Sequence, residues 1–115
     1  IILRYSDVLL MAAEANNRGG ISDAKAQDYL NQVRRRAFGD EFHDIILGGS
    51  DLTEAIYQER RMELLGEGHR FFDLVRTGQA ADKIDGFIVG KNEVFPIPLE
   101  EIEFSAGNWS QNPNY

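Results

Sequence analysis

The strongest constraint on the fold is that apolar residues recur at helical spacing in segments that end at glycines. Residues 4–17 are almost continuously apolar in their centre, which is typical of a mostly buried helix, and residues 16–20 can close it because Asn and Gly adopt left-handed backbone conformations. Ser22 is predicted to cap a second helix that ends at Gly39. Its apolar positions repeat at helical spacing: Ala26, Leu30, Val33 and Ala37. The sequence therefore predicts two antiparallel helices, similar to one tetratricopeptide repeat of about 34 residues.

A third helix, over residues 50–65, combines apolar residues and carboxylates on one face. Its apolar members are Leu52, Ala55, Ile56 and Met62. At about 100° per residue, Glu59 and Glu63 lie on this same face, whereas Arg61 points the opposite way. Burying a carboxylate without a partner is unfavourable, because the charge loses its hydration. We therefore expect other groups of the protein to bind both glutamates.

Two interpretations of Glu59 and Glu63 are open on sequence grounds. Residues four apart lie side by side on a helix, so the pair could serve as a general acid and base or as two oxygen ligands of a metal. The alternative is a structural ion-pair network with Arg70, Asp73 and Arg76, in which the two arginines bind the two glutamates. We favour the network, because structural ion pairs also bring charged side chains together in proteins.

Sequence motifs for catalysis or cofactor binding are missing. A Glu-x-x-His pair of metal ligands would need a carboxylate at Gly66 to accompany His69. No serine lies in a Gly-x-Ser-x-Gly context, no glycine-rich loop has phosphate-binding spacing, and the chain has no cysteine. We therefore expect a protein that is not an enzyme and has no catalytic residue, metal ligand or cofactor.

Charge and hydropathy exclude further classes of protein. The chain has 12 Lys and Arg against 19 Asp and Glu, a formal net charge of -7, which argues against nucleic acid as a partner because phosphates are bound by clustered cations. The longest apolar run, Val8 to Ala13, is far shorter than the roughly 20 residues of a membrane-spanning helix. The chain begins at Ile1 without an initiator methionine or a signal peptide, so we expect a fragment of a larger protein.

The C-terminal third of the sequence changes in character. A short helix is predicted over residues 69–77, with core residues Phe71, Phe72, Leu74 and Val75. From Asn92 onward the prolines predict an extended irregular tail, in which Pro98 opens one helical turn. Trp109 and Tyr115 are weak candidates for ligand binding, since either ring could stack on a sugar. We favour packing of the tail as their role, because large aromatic side chains most often serve packing.

Six segments resemble the conserved blocks of the C-terminal region of the SusD/RagB family. They are Arg4–Met11 with Ala13–Ala15, Leu30–Ala37, Ala55–Leu64, Glu67–Gly78, Phe95–Pro98 and Gln111–Pro113. The blocks follow one another in the family's order and cover nearly the whole chain. Two positions depart from the family pattern: Gly66 stands where a bulky residue is usual, and Asn114 replaces a glycine. The second departure is mild, because Asn tolerates positive φ.

The resemblance implies an all-α fold, in which helical hairpins with tetratricopeptide-like packing precede an extended irregular C-terminal tail. It implies that residues 1–115 form one helical C-terminal domain of a larger lipoprotein. Such proteins are anchored to the bacterial outer membrane through an N-terminal segment, bind oligosaccharides or other nutrients at the cell surface, act with a SusC-like TonB-dependent transporter, and break no bonds. Their ligand contacts come mostly from outside these blocks, so the resemblance assigns no binding residue here. The alternative is a stand-alone helical protein-interaction module without glycan binding.

Overall fold

The computed structural model describes residues 3–115, which form helices, turns and irregular segments but no strands. The all-α prediction is therefore confirmed. The helices are α1 (Tyr5–Arg18), α2 (Asp23–Phe38), α3 (Gly49–Glu63), α4 (Arg70–Arg76), α5 (Ala80–Lys83) and α6 (Leu99–Phe104). The chain divides into two compact units, the first ending at Arg70 and the second running from Phe71 to Tyr115.

The ends of α2 show why the hairpin forms where it does. Ser22 has an extended backbone, and its hydroxyl accepts a hydrogen bond from the Lys25 amide at 3.2 Å, which satisfies one free donor of the first helical turn. At the other end Gly39 adopts φ 80°, a left-handed conformation that residues with a side chain rarely take. Both ends agree with the sequence prediction.

The core of the first unit is built by α1, α2 and α3 together. α1 packs against both other helices, and most extensively against α2. Most of its buried apolar side chains form one cluster: Leu9, Leu10, Ala13, Ala26, Leu30, Val33, Leu52 and Ile56. Burial of each large aliphatic side chain favours folding by about 1.5–3 kcal/mol. The helical hairpin is thus observed, whereas its tetratricopeptide-like packing stays a prediction.

A polar bridge joins the three helices at one end of this core. The amide of Asn17, which is buried at the end of α1, donates to the Asp23 carboxylate at 2.8 Å and to the Gly49 carbonyl at 3.0 Å. Asp23 also accepts the Gly49 amide hydrogen bond at 2.7 Å. These bonds place the start of α3 beside the α1–α2 turn.

Some apolar residues predicted to lie in the core are exposed instead. On α3 the buried positions are Leu52, Ile56, Glu59 and Arg60, and Met62 is exposed because it projects about 100° away from the centre of that stripe. In the second unit Phe72 is also exposed, whereas Leu74 is buried. Helical periodicity thus located the buried stripe of α3, but not its width.

The second unit contains short helices and long irregular connections. Leu74 of α4 and Ala80 of α5 are its buried apolar residues. The half-buried ring of Phe71 lies edge-on to Phe72, with 5.6 Å between centroids, and 5.9 Å from the ring of Phe95. A single turn such as α5 leaves little periodicity in the sequence, and it was not predicted.

Candidate functional site

Glu63, at the end of α3, binds two arginines: Arg4, immediately before α1, and Arg36 of α2. The side chain of Glu63 is 9% exposed, and its Oε1 accepts a hydrogen bond from Arg4 Nη1 at 2.5 Å and another from Arg36. Arg4 also donates to the backbone carbonyl of Glu63, and through Nε to the Glu67 carboxylate at 3.0 Å. Arg4, immediately before α1, is therefore bonded to both the last residue of α3 and the turn that follows.

These contacts determine the charge of the carboxylates. Burial raises the pKa of Glu63, but the hydrogen bond from Arg4 and the charge of Arg36 outweigh burial, so the pKa lies below its ordinary value. The hydrogen bond from Arg4 likewise lowers the pKa of Glu67. Both acids are therefore ionised at neutral pH.

Glu59, one turn earlier on α3, binds Arg34 of α2. Arg34 Nη1 lies 2.6 Å from Glu59 Oε2, and Arg34 Nε donates to the His43 carbonyl at 2.7 Å. The guanidinium also lies 5.2 Å above the ring of Phe38, which stacks on the ring of His43. Arg34 thus connects α3 to the loop between α2 and α3.

A further ion pair, between Asp7 and Arg60, is buried more deeply. Arg60 Nη1 lies 2.7 Å from Asp7 Oδ1, and the side chains are only 6% and 5% exposed. Sequence reasoning missed this pair. A signal was present, because Arg60 lies four residues after the buried Ile56, about 40° away around the helix, and so lies on the buried face.

The prediction that Arg70 and Arg76 bind Glu59 and Glu63 is wrong. It considered only arginines close to α3 in sequence, whereas the two glutamates are bound by Arg34 and Arg36 of α2 and by Arg4, immediately before α1. Asp73 and Arg76 form a local pair on α4, in which Arg76 Nε donates to Asp73 Oδ1 at 2.9 Å. Arg70 is half-buried at the start of α4.

The charged side chains described above bind one another and link the helices of the first unit. Glu59 and Glu63 each direct carboxylate oxygens at guanidinium groups, which fix the position of both side chains. Among residues 3–115, no three His, Asp or Glu side chains lie close enough together to hold a metal ion. In that part of the chain no helix has the length and apolar character needed to cross a membrane.

Of the two aromatic candidates for ligand binding, Tyr115 is engaged in the tail and Trp109 is more exposed. The Tyr115 hydroxyl donates to the Val94 carbonyl at 2.9 Å, and Lys91 Nζ lies 4.8 Å from the centre of its ring. The Trp109 amide donates to Ser105 Oγ at 3.0 Å, while the residue is 55% exposed. A role for either ring in ligand binding stays a prediction.

Amide side chains hold the irregular tail against the extended segment before α6. Gln111 accepts a hydrogen bond from the Ile97 amide and donates one to the Ile97 carbonyl, both at 2.8 Å. Asn112 Nδ2 donates to the Phe95 carbonyl at 2.7 Å, and Asn114 Nδ2 to the Gly90 carbonyl at 2.8 Å. These side chains satisfy backbone groups of the extended segment in place of a neighbouring strand.

A cavity of about 370 Å³ lies between α1 and α2 in the first unit. Its lining residues are Arg4, Tyr5, Ser6, Leu9, Gln32, Val33 and Arg36. The volume falls in the range of small-molecule sites. However, both arginines of its lining already bind Glu63, and none of the residues predicted to form a site contributes to it.

Comparison with known proteins finds relatives from the family that the sequence blocks resemble. SusD-like protein P25 of Formosa agariphila is 37% identical over 115 aligned residues, which cover 90% of this chain and 22% of that protein. SusD-like protein P2 of the same organism is 28% identical and is matched over 26% of its length. The crystal structure of a SusD homolog from Bacteroides thetaiotaomicron superimposes with a TM-score of 0.85 at 36% identity, covering 98% of this chain and 25% of that one.

The chain thus spans about a quarter of the length of these relatives. A sequence model of the SusD family matches residues 1–94, which include the charged residues of α1, α2 and α3 that bind one another. On the strength of that match over most of its length, the chain belongs to the SusD family.

Proposed function

We propose that these 115 residues are the C-terminal helical part of a cell-surface protein that captures oligosaccharides or related nutrients. The observation that carries this proposal is the family match over residues 1–94, together with a fold that superimposes on a SusD homolog at 36% identity. The protein is proposed to be lipid-anchored at the bacterial outer membrane, through a segment outside these residues. It would deliver its ligand to a SusC-like TonB-dependent transporter.

The geometry supports a scaffolding role for this part of the protein. Polar side chains of the matched region are bonded to one another, as Arg4 is to Glu63 and Arg34 is to Glu59. A side chain that already bonds to another has fewer donors and acceptors left for a ligand. Ligand contacts are therefore assigned mainly to parts of the intact protein outside residues 1–115.

Glycan binding is tested by isothermal titration calorimetry of the intact, lipid-free protein against a panel of soluble oligosaccharides. We expect binding to at least one class of glycan. Trp109→Ala and Tyr115→Phe should change the affinity by less than about threefold, a shift below 1 kcal/mol. Absence of binding to every glycan would contradict the proposed function, while loss of binding in folded Trp109→Ala protein would place the ligand site in this tail.

The proposal also includes an absence of catalysis. Reducing-end and chromatographic assays of the glycans that bind should show no cleavage after prolonged incubation with the intact protein. Glu59→Gln and Glu63→Gln are the informative variants, because these residues are the pair that the sequence offers as a general acid and base. Turnover by the parent protein that disappears in a folded glutamine variant would overturn this part of the proposal.

Partnership with a transporter is tested by purification from native outer membranes with mild detergent. A TonB-dependent transporter should co-purify with the tagged intact protein and should be absent when the tag is placed on an unrelated lipoprotein. Stable association with a soluble protein instead, without transporter or glycan binding, would favour a helical protein-interaction module.

A further inference from the structure

The second unit contains the chain's one Asp-Gly sequence, Asp85–Gly86, in the loop after α5. In an Asp-Gly sequence the glycine amide nitrogen can attack the side-chain carboxyl group of the aspartate, because glycine has no Cβ to obstruct the approach. The chain has no Asn-Gly sequence, which reacts in the same way. The sequence therefore singles out one peptide bond as a candidate for spontaneous rearrangement.

Asp85 and Gly86 are the two central residues of a tight turn. The Phe87 amide donates a hydrogen bond to the Ile84 carbonyl at 3.2 Å. Gly86 adopts φ 75°, whereas the φ of Asp85 is not positive, and this combination defines a type II turn. Both central residues are exposed. Water therefore reaches the groups that would react, in a surface connection of the kind that is most mobile in proteins.

Asp85 differs from the other aspartates in having both reacting groups available. Within the described part of the chain, neither its carboxylate nor the Gly86 amide has a hydrogen-bond or ion-pair partner. After Asp51 and Asp82 the next backbone amide donates to the carbonyl four residues earlier. The remaining aspartates are held through their carboxylates: Asp7, Asp23, Asp28, Asp40, Asp44 and Asp73.

We propose that Asp85 is a site of spontaneous isomerisation to isoaspartate in the folded protein. First, the Gly86 nitrogen forms a bond to Asp85 Cγ, and one carboxyl oxygen leaves as water with the amide proton and a proton from solvent. Water then adds to the main-chain carbonyl carbon of Asp85, and the bond from that carbon to the Gly86 nitrogen breaks. The water and the solvent proton are both returned, so the net reaction needs no other reactant. The proposal is independent of glycan binding.

Isomerisation at Asp85 should displace the residue that follows the turn. Phe87 is half-buried and lines a small cavity together with Val75 and Ala80. In isoaspartate the main chain runs through Cβ and Cγ, which lengthens the turn by one carbon atom. The Ile84 carbonyl and the Phe87 amide then no longer have the spacing of the present bond. The modified chain should therefore lose the turn bond and the packing of Phe87 beside α5.

The test follows isoaspartate at individual positions while the intact, folded protein is incubated at physiological pH and temperature. Digestion in mild acid limits isomerisation during handling, and electron-transfer mass spectrometry distinguishes isoaspartate from aspartate in each peptide. Asp51 and Asp82 are the internal controls. We expect Asp85 to react at least about tenfold faster, because attack at the controls requires local opening of a helix. Equal rates at the three positions, or no isoaspartate at Asp85, would overturn the proposal.

Asparagine variants test the same attack through a different leaving group. Asp85→Asn should lose ammonia in place of water in the first step, so it should deamidate faster than its matched control, Asp82→Asn. Asp85→Glu keeps the charge but has a longer side chain, whose larger ring forms less readily, and should stay unmodified. If folded Asp85→Asn protein keeps its amide as long as the control does, the turn protects the site and the proposal fails.

Hydrogen exchange measures the structural effect of the modification. In the isomerised fraction, separated by chromatography, the Phe87 amide should exchange with solvent at least about fivefold faster than in the parent, because it has lost its bond to Ile84. The Leu74 amide, in α4, is the control and should be unchanged. Equal exchange of Phe87 in the two forms would contradict the expected opening of the turn.

Discussion

Arg60 and Arg61 are neighbours in sequence and have opposite surroundings. Arg60 is buried and lies 2.7 Å from Asp7, whereas Arg61 is exposed to solvent on the outward face of α3. A charge removed from water requires a partner, and a charge in water does not. The two arginines therefore make a matched pair for measuring what burial adds to an ion pair.

Replacing Asp7 with alanine should lower the free energy of unfolding of the intact protein by about 3–5 kcal/mol, because it removes a carboxylate to which a buried guanidinium is bonded. Arg61→Ala should change the same quantity by less than about 0.5 kcal/mol. Urea unfolding followed by circular dichroism measures both. Equal effects of the two substitutions would show that the Asp7 pair is not buried in the intact protein.

Stability should fall in acid in a way that depends on Glu63. The pKa of Glu63 is lower in the folded chain than its ordinary value of 4.5, so the unfolded state binds more protons as pH falls. The stabilisation by this group is present above pH 4.5 and is lost as pH falls through the folded pKa. Thermal melts of Glu63→Gln should therefore depend less on pH in this range than those of the parent. Glu103→Gln, at an exposed position of α6, is the control and should retain the parent's pH dependence.

For the charged residues, the sequence predicts which way a side chain projects from its helix but not which residue it binds. Helical spacing placed Glu59 inward and Arg61 outward, as observed, because periodicity depends only on the local backbone. The partner of Glu59 is Arg34, which lies on another helix and 25 residues away in sequence. Such a partner depends on how helices cross, and a single sequence does not specify the crossing.

At the scale of the elements, helix ends were the most predictable features. Ser22 and Gly39 cap α2 as expected, because capping uses only a side chain and a few adjacent backbone groups. The contacts of the C-terminal tail were not predicted. Gln111 bonds to Ile97, 14 residues away, and nothing in the spacing of either residue indicates the other.

Gly39→Ala should destabilise the protein by about 1–2 kcal/mol, since a Cβ is unfavourable in the left-handed conformation that ends α2. No other atom lies within 4 Å of the position a Cβ would take, so crowding does not contribute. Gly39→Asn is the informative comparison, because Asn tolerates positive φ and should cost less. Chemical denaturation of both variants would give the difference. An equal loss in both would show that conformation is not the cause.

Gln111→Ala should release the extended segment before α6. The substitution removes two hydrogen bonds to Ile97. Together they contribute about 1–3 kcal/mol to local stability. The Ile97 amide should therefore exchange with solvent at least about fivefold faster. Hydrogen exchange read by NMR or mass spectrometry would detect this. Ser110→Ala, at the neighbouring exposed position, should leave the exchange rate unchanged.

At the scale of the whole molecule, the sequence blocks and the structural comparison led to the same family. Residues of different blocks bind one another, as Arg4 binds Glu63 and Glu67. Residues 1–115 are proposed to be a C-terminal domain of a longer protein, and the division into two compact units after Arg70 describes its internal organisation.

The ion pairs between α2 and α3 should hold these helices together even if a protease cuts the loop that connects them. The connecting loop places Phe42 in solvent at 96% exposure, an open target for a protease. Nevertheless Arg34 and Arg36 bind Glu59 and Glu63 on the far side of that loop, and Leu52 and Ile56 pack with Leu30 and Val33. A single cut at Phe42 should therefore leave a nicked protein whose two pieces migrate together until denaturant separates them.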